Sequence, residues 1–144
     1  MDFQIQLLDS GNCELLERLD PDVFDNAIEA LQLRAFLDDP RHFMFVAVMD
    51  GTVVGMASAV ELFHPDKKPQ VFINEVGVAS ACRNQGIGRS LVDAVLDASR
   101  ARGCVYAWLG TDIDNEAAQA CFGSVSAGEK PQTFLLYEWE LGGS

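Results

Sequence analysis

A glycine-containing segment between a predicted strand and a predicted helix has the residues needed to bind a phosphate group. Arg83-Asn84-Gln85 is followed directly by Gly86-Ile87-Gly88, and a helical pattern begins there. Glycine lets the main chain approach a ligand closely, while the first amides of a helix lack intrahelical acceptors and carry the positive end of its dipole. Arg83 and Arg89 flank the turn and suit further phosphate contacts. The segment therefore predicts a pyrophosphate site.

The glycine pattern alone is weak evidence, because glycine turns before helices are common and often only structural. It lacks the third glycine of a dinucleotide-binding fingerprint, and no Lys-Ser or Lys-Thr pair follows as in a P-loop. The elements around it must therefore be considered.

Length and composition predict a single domain over residues 1–144. The chain is 49% hydrophobic and 22% charged, which suits one globular core. Four scattered cysteines without a CxxC pair, and two histidines outside any ligand spacing, predict no metal site. The N-terminus does not resemble a secretory signal and no stretch approaches transmembrane length, so we expect a cytoplasmic protein.

The formal net charge of −12 restricts the partners that we expect. It opposes nucleic acid and anionic membranes and attracts cationic molecules over a distance. The alternative is that acidity only keeps the protein soluble. The oligomeric state is left open, with a homodimer as one of the alternatives.

Hydrophobic periodicity predicts alternating strands and helices. Asp50-Gly51 is typical of a two-residue hairpin turn, and Gly103 of a helix C-terminus. Glu75 interrupts a mostly apolar strand, so it is a candidate for chemistry. The predicted strands are residues 3–8, 43–49, 52–62, 70–78, 104–109 and 133–141. The predicted helices are a helical pair within residues 12–38, then 86–102 and 115–122, which together indicate a mixed α/β sheet.

Two motifs in this order resemble a known family. Glu75-Val76-Gly77-Val78, four further residues and then the segment from Arg83 to Leu91 look like motif A of GNAT acetyltransferases. Residues 114–118 with Cys121-Phe122 resemble motif B. Within the family, residues 64–67 and 72–78 most resemble the aminoglycoside 3-N-acetyltransferase branch. The resemblance implies the GNAT fold, with a mixed sheet of about six to seven strands flanked by about four helices.

The resemblance also implies acetyl-CoA as cosubstrate, without a metal. The main chain of Val76, Gly77 and Val78 would bind the pantetheine arm like an added strand, and Asn115 and Phe122 would contact it from the second motif. The pyrophosphate would be held by Arg83, Asn84, Gln85, Gly86, Ile87, Gly88 and Arg89.

Acetyl transfer to an amine requires a base, because an alkyl amine is largely protonated at neutral pH, with a reference pKa near ~10.4 for lysine. Glu75 lies on the strand that would carry the thioester, where the family often places a base. Asp112 and Asp114 follow the neighbouring strand. Each could accept the proton directly or through water. A strand-edge carboxylate and turn or cap roles are the structural alternatives.

The departing thiolate is protonated in many family members by a motif B tyrosine, and this chain has Phe122 there. Cys121 is adjacent to Phe122, but its side chain points about 100° away from that of Phe122 around the helix. It is therefore not an obvious substitute for the tyrosine. Tyr137 is a more distant candidate. A thiol of pKa near ~8.5 can leave without a dedicated acid, so we expect slower rather than abolished transfer.

We expect an N-acetyltransferase for a primary amine on a small polycation such as an aminoglycoside, which would confer antibiotic resistance, or a polyamine. The alternatives are a protein amine acetyltransferase and an acyl-CoA-binding module without catalysis. The binding module stays open because Phe122 replaces the tyrosine that many family members use as the proton donor.

Overall fold

A five-stranded mixed sheet forms the centre of the computed structural model, which describes residues 2–125 and 130–143. The strands lie in chain order; the first four are antiparallel and the last pair is parallel. The strands are β1 (Gln4–Leu7), β2 (His42–Met49), β3 (Thr52–His64), β4 (Lys67–Val78) and β5 (Ala107–Trp108). The α-helices are α1 (Ala30–Asp38), α2 (Ile87–Ala101) and α3 (Glu116–Gly123), with short 3-10 helices at Cys13–Glu17 and Ser80–Cys82.

The turn between β2 and β3 follows from its two residues. Asp50 and Gly51 have φ angles of 51° and 75°. Positive φ at both central positions is the geometry of a type I′ turn, which matches the twist of the paired strands. The predicted hairpin is therefore confirmed.

The core surrounds β3, which is buried along residues 53–59. Helix α2 covers one face of the sheet, and glycine allows it to come close. A methyl group at Gly55 would lie 3.0 Å from Cγ2 of Ile87 and 3.1 Å from Cδ1 of Leu91. Both side chains are almost completely buried. This packing determines where the N-terminus of α2 lies relative to the sheet.

The opposite face of the sheet is covered by the segment before α1. The backbone of Val23 lies so close to Gly77 that a methyl group there would overlap the Val23 carbonyl oxygen. The Asp22 carboxylate accepts hydrogen bonds from the backbone N–H (2.9 Å) and the hydroxyl of Ser80. These bonds lower the pKa of Asp22 to about 2. The segment is thus tied to the chain just after β4.

The predicted helical pair within residues 12–38 is wrong in its first half. Cys13–Glu17 is a 3-10 helix and α1 is confined to Ala30–Asp38. Between them the backbone pairs with β3: Val53 donates to the Arg18 carbonyl (2.8 Å) and Asp20 donates to the Val53 carbonyl (3.0 Å). Pairing with the sheet therefore overrides the local helical pattern.

Other boundaries also differ from the prediction. The described residues form five strands and three α-helices, fewer than the six to seven strands and four helices expected. β5 covers only Ala107–Trp108 of the predicted residues 104–109, and residues 133–141 do not form a strand. The predicted loop at 64–69 is shorter, because β3 and β4 extend to His64 and Lys67.

The close approach at Gly77 predicts that Gly77→Ala destabilises the fold. The added methyl group would push the Val23 backbone away, and such overpacking typically costs about 1–3 kcal/mol. Gly123→Ala is the control, because a methyl group there meets nothing within 4 Å. Urea unfolding of both variants measures the difference. Equal midpoints would show that the Val23 segment moves freely over β4.

Candidate active site

The pairing between β4 and β5 ends before β4 reaches Glu75, Val76 and Val78. The two strands pair only at Val71 with Ala107 and at Phe72 with Trp108. On its other edge β4 stays paired with β3, but Ser58 pairs with Glu75 and Ala59 with Ile73, so Asn74 is an extra residue. Such a β-bulge changes which way the following residues face, and bulges are frequent next to active sites.

The end of the β4–β5 pairing leaves main-chain groups of β4 on an open edge. The backbone N–H of Ala79 donates to the Val54 carbonyl in β3 (2.8 Å). Because backbone groups alternate along a strand, Gly77 also faces β3, whereas Val76 and Val78 face the gap left by β5. Arg83 lies on that side, where its Nε donates to the Val78 carbonyl (3.4 Å). An extended ligand could pair with this edge as an added strand.

The loop after β4 leads to an uncapped helix N-terminus. Asn84 and Gly86 have φ angles of 64° and 81°, which turn the chain into α2. The first amide bonded within the helix is that of Ser90, which donates to the Gly86 carbonyl (3.0 Å), and no side chain caps the N-terminus. The amides of residues 87–89 therefore have no partner within the helix, and they can bind an anion.

The side chains of this loop have different roles. Arg83, Asn84 and Gln85 are exposed, as is Arg89, whose Nε lies 3.9 Å from Asp93. The side chain of Ile87 is 1% exposed and belongs to the core, so only its amide can contact a ligand. The exposed cations Arg83 and Arg89 therefore lie beside a side chain, Ile87, that is fixed in the core.

Gly88 is required by the packing of two helices. A methyl group on it would lie 2.8 Å from Sγ of Cys121 in α3. Burial raises the pKa of the Cys121 thiol, so this thiol stays protonated at neutral pH. The neighbouring Phe122 is partly buried against the core. Sequence reasoning missed this contact, because no local pattern pairs residues of α2 and α3.

Asn115 begins α3 as its N-cap. Its Oδ1 accepts a hydrogen bond from the Ala118 amide (3.0 Å). Capping was the structural alternative for Asp112 and Asp114, and the structure gives that role to Asn115 instead. Both aspartates are exposed, and the Asp112 carbonyl accepts a bond from the Asn115 amide (3.0 Å).

Glu75 lies in a pocket on the face of the sheet opposite α2. The pocket has a volume of about 260 Å³, and Glu75, Asp25 and Glu29 are its acidic residues. Partial desolvation and the nearby charge of Asp25 raise the pKa of Glu75, although its side chain still reaches solvent. Aspartates 112 and 114 do not line it. The remaining lining residues are Leu16, Phe24, Asn26, Ala27, Ile28, Gln32, Leu33, Phe36 and Met44.

Tyr137 does not line this pocket. It is exposed and stacks on Trp139, with ring centroids 6.3 Å apart. In the described part of the chain, no group of three or more His, Cys, Asp or Glu side chains could hold a metal ion. None of the helices described is long and apolar enough to cross a membrane.

The amino-acid sequence matches the model of the Acetyltransferase (GNAT) family over residues 11–125. Because this match covers most of the chain, the protein belongs to the GNAT acetyltransferase family. The motifs that resembled this family in the sequence are the segments that build the open edge of β4, the N-terminus of α2 and α3.

Two relatives are similar over shorter regions. N-alpha-acetyltransferase 30 of Schizosaccharomyces pombe is 29% identical over 89 residues, which are 62% of this chain and 59% of the relative. Mycothiol acetyltransferase of Saccharopolyspora erythraea is 35% identical over 80 residues, 56% of this chain and 25% of the relative. The chain thus spans less than two thirds of either relative.

The solved structures that share this fold include proteins named as acetyltransferases and one named as a transcriptional regulator. An aminoglycoside acetyltransferase from an uncultured soil metagenomic sample, in complex with sisomicin, superposes with a TM-score of 0.78 at 20% identity, covering 96% of this chain and 97% of that one. AAC(6')-Iy with the bisubstrate analog CoA-S-monomethyl-acetylneamine gives 0.78 at 20%, covering 97% and 99%. A transcriptional regulator from Bacillus halodurans gives 0.71 at 19%, covering 94% and 100%. At these identities the similarity shows the fold alone.

The geometry of the loop predicts that Gly86→Val weakens CoA binding at least tenfold. A branched side chain is strained at a φ of 81° and would occupy the space through which a pyrophosphate approaches the amides. Gly103→Val is the control at the other end of α2, because Gly103 has a φ of 88° and equally open surroundings. Calorimetric titration with CoA measures both variants. Unchanged affinity in Gly86→Val would place the CoA site elsewhere.

Proposed function

We propose that this protein transfers an acetyl group from acetyl-CoA to a primary amine of a small cationic acceptor. Membership of the GNAT family supports an acetyl-CoA-dependent N-acetyltransferase. The observation that carries the proposal is made on β4, whose main chain beyond Phe72 is not paired with β5 and whose Glu75 lines the acidic pocket.

The residues at the open edge fit acetyl-CoA. The amides of residues 87–89 hold the pyrophosphate, with Arg83 and Arg89 beside it. The main chain of Val76 and Val78 pairs with the amide groups of the pantetheine arm, and the second motif contributes Asn115 and Phe122. Bound in this way, acetyl-CoA supplies an acetyl group that is activated as a thioester.

Glu75 is the base in this proposal. Its side chain extends into the pocket while its main chain belongs to the strand that pairs with the arm. A raised pKa makes a carboxylate a better proton acceptor, provided that it is ionised at the working pH. Glu75 therefore takes the proton from the acceptor ammonium, directly or through one water, and leaves a neutral amine that can react.

Proton donation to the departing thiolate has no dedicated side chain in this proposal. Phe122 has no hydroxyl group, and the Cys121 thiol is engaged in packing against Gly88. Tyr137 is exposed on the C-terminal segment. Solvent supplies the proton, which the moderate basicity of a thiolate allows.

The acceptor is cationic because the pocket is acidic. Asp25, Glu29 and Glu75 attract ammonium groups, and the net charge of −12 adds a long-range attraction. Aminoglycosides are our first candidates, in line with the names of several proteins of the same fold. Those names include a 6′-type enzyme, so assignment to the 3-N branch stays a prediction that regiochemical analysis of the product can test.

A protein amine is the second candidate acceptor. The similarity to a relative named as an N-alpha-acetyltransferase favours it. A pocket of about 260 Å³ accommodates one amine-bearing group of a peptide as well as part of a small molecule. Peptides with free N-termini therefore belong in the same assay as aminoglycosides and polyamines.

The proposal is tested by release of free CoA thiol from acetyl-CoA, with each amine in turn. We expect turnover with polycationic small molecules and slower turnover with neutral amines. Binding of acetyl-CoA without turnover on any acceptor would instead indicate an acyl-CoA-binding module.

Removing the base should then abolish most of the activity. Glu75→Gln should lower kcat by roughly a hundredfold or more, the range typical of general-base removal, with CoA affinity unchanged. Asp112→Asn is the matched control, because it makes the same chemical change at an exposed carboxylate outside the pocket. If only Asp112→Asn lost activity, the role of base would pass to Asp112.

The charge of Asp25 predicts a pH shift. Because this charge raises the pKa of Glu75, Asp25→Asn should lower that pKa and move the acid limb of the kcat/KM profile to lower pH. Asp50→Asn at the β2–β3 turn provides a control with the same loss of charge. If the acid limbs of wild type and Asp25→Asn coincided, the limb would not report a Glu75 pKa that is raised by Asp25.

A further inference from the structure

A contact between Asp22 and Ser80 joins the segment before α1 to the chain just after β4. One carboxylate oxygen of Asp22, Oδ2, accepts hydrogen bonds from both the backbone N–H (2.9 Å) and the hydroxyl of Ser80, which is 58 positions away. Because these bonds lower the pKa of Asp22 to about 2, its side chain is ionised at neutral pH and both bonds are charge-assisted. The contact therefore persists under the conditions of an acetyl transfer.

The residues that follow this contact build half of the pocket that Glu75 lines. Residues 24–29, called the wall below, supply six of its twelve lining residues and have no helix or strand assigned. Among the backbone hydrogen bonds of the described residues, the wall takes part in one, between the Glu29 carbonyl and the Leu33 amide (2.9 Å). The wall is therefore positioned by its two ends, because its own backbone does not bond to the sheet.

The two ends of the wall are held unequally. Helix α1, which follows the wall, has no fully buried side chain. Before the wall, the Val23 side chain is only 3% exposed and its carbonyl oxygen lies against Gly77 in β4. The bonds between Asp22 and Ser80 lie directly beside this packing. The N-terminal end thus fixes the wall against β4.

This end also determines where Asp25 lies relative to Glu75. Asp25 comes two residues after Val23. Glu75 comes two residues before Gly77, the residue that Val23 contacts. Glu29 is the remaining charged residue of the pocket lining, and the lining residues from the first 3-10 helix, from β2 and from α1 carry no charge. The electrostatic environment of Glu75 in the pocket therefore depends on the placement of the wall.

We propose that Asp22 and Ser80 are positioning residues whose contact holds the wall against Glu75. The proposal rests on Glu75 as the base of the proposed acetyl transfer and adds what prepares that base. With the wall in place, Glu75 is partly desolvated and lies near the charge of Asp25, which raises its pKa and makes its carboxylate a stronger proton acceptor. Without the contact the wall moves away, and the pKa of Glu75 returns toward its ordinary value.

NMR titration of the Glu75 carboxyl carbon in the purified full chain tests the proposal without any acceptor. Ser80→Ala removes one of the two bonds and changes no charge, whereas Asp22→Ala removes both. The pKa of Glu75 should fall in Ser80→Ala and fall further in Asp22→Ala. The double variant should match Asp22→Ala, because the hydroxyl bond is already lost there. Ser80→Thr keeps a hydroxyl group and should retain the wild-type pKa.

A charge control separates the position of the wall from the charge of Asp22. Asp22→Asn loses the charge but keeps an oxygen that can accept from Ser80, so it should lower the pKa of Glu75 less than Asp22→Ala does. Circular dichroism checks that each variant is folded. If Asp22→Ala does not fold, Ser80→Ala carries the test, since it keeps the backbone bond.

Three results would each overturn the proposal. They are an unchanged Glu75 pKa in Ser80→Ala or in folded Asp22→Ala, equal falls in Asp22→Asn and Asp22→Ala, and a fall in Ser80→Thr as large as that in Ser80→Ala. Because the titration needs no turnover, a failure to acetylate any amine would count against the proposed function and not against the positioning of Glu75.

Discussion

The parting of β4 from β5 after Phe72 and Trp108 is the constraint on which the site depends. Had the two strands stayed paired, the main-chain groups of Val76 and Val78 would bond to β5 and none would remain for a ligand. The bulge at Asn74 adds a second effect, because one extra residue reverses which side chains face each side of the sheet. The end of the β4–β5 pairing thus exposes backbone at one edge of β4, and the bulge directs Glu75 into the acidic pocket.

Core packing then determines where the anion-binding amides lie. Ile87 and Leu91 are buried on the sheet, and burying such a side chain contributes roughly 1.5–3 kcal/mol. Gly55 and Gly88 let β3 and α3 approach the same helix closely. An anion-binding helix end must be held rigidly to be useful, since a misplaced donor contributes little. Here rigidity comes from apolar contacts within the first turn, directly beneath the amides.

Much of the fold near the site could be predicted from the sequence, because its signals are local. The hairpin at Asp50-Gly51, the helix after Gly86 and the helix after Asn115 depend on turn chemistry and periodicity, and all three are present. The prediction failed for the N-terminal half of the helical pair, because residues 18–20 pair with Val53 across a long sequence separation. The pocket was missed for the same reason: Asp25 and Glu75 are fifty positions apart, and only the fold brings them together.

An acidic protein that binds a polyanionic cosubstrate needs its charges separated, and β4 separates them. At physiological ionic strength the Debye length is about 8 Å, so charges farther away than this are largely screened at the surface. Near the N-terminus of α2, the local groups are free amides with Arg83 and Arg89, which favour an anion despite the net charge of −12. On the other face of the strand, Asp25 and Glu75 favour a cation. In the proposed reaction, acetyl-CoA and its acceptor would therefore each meet the local charge that attracts them.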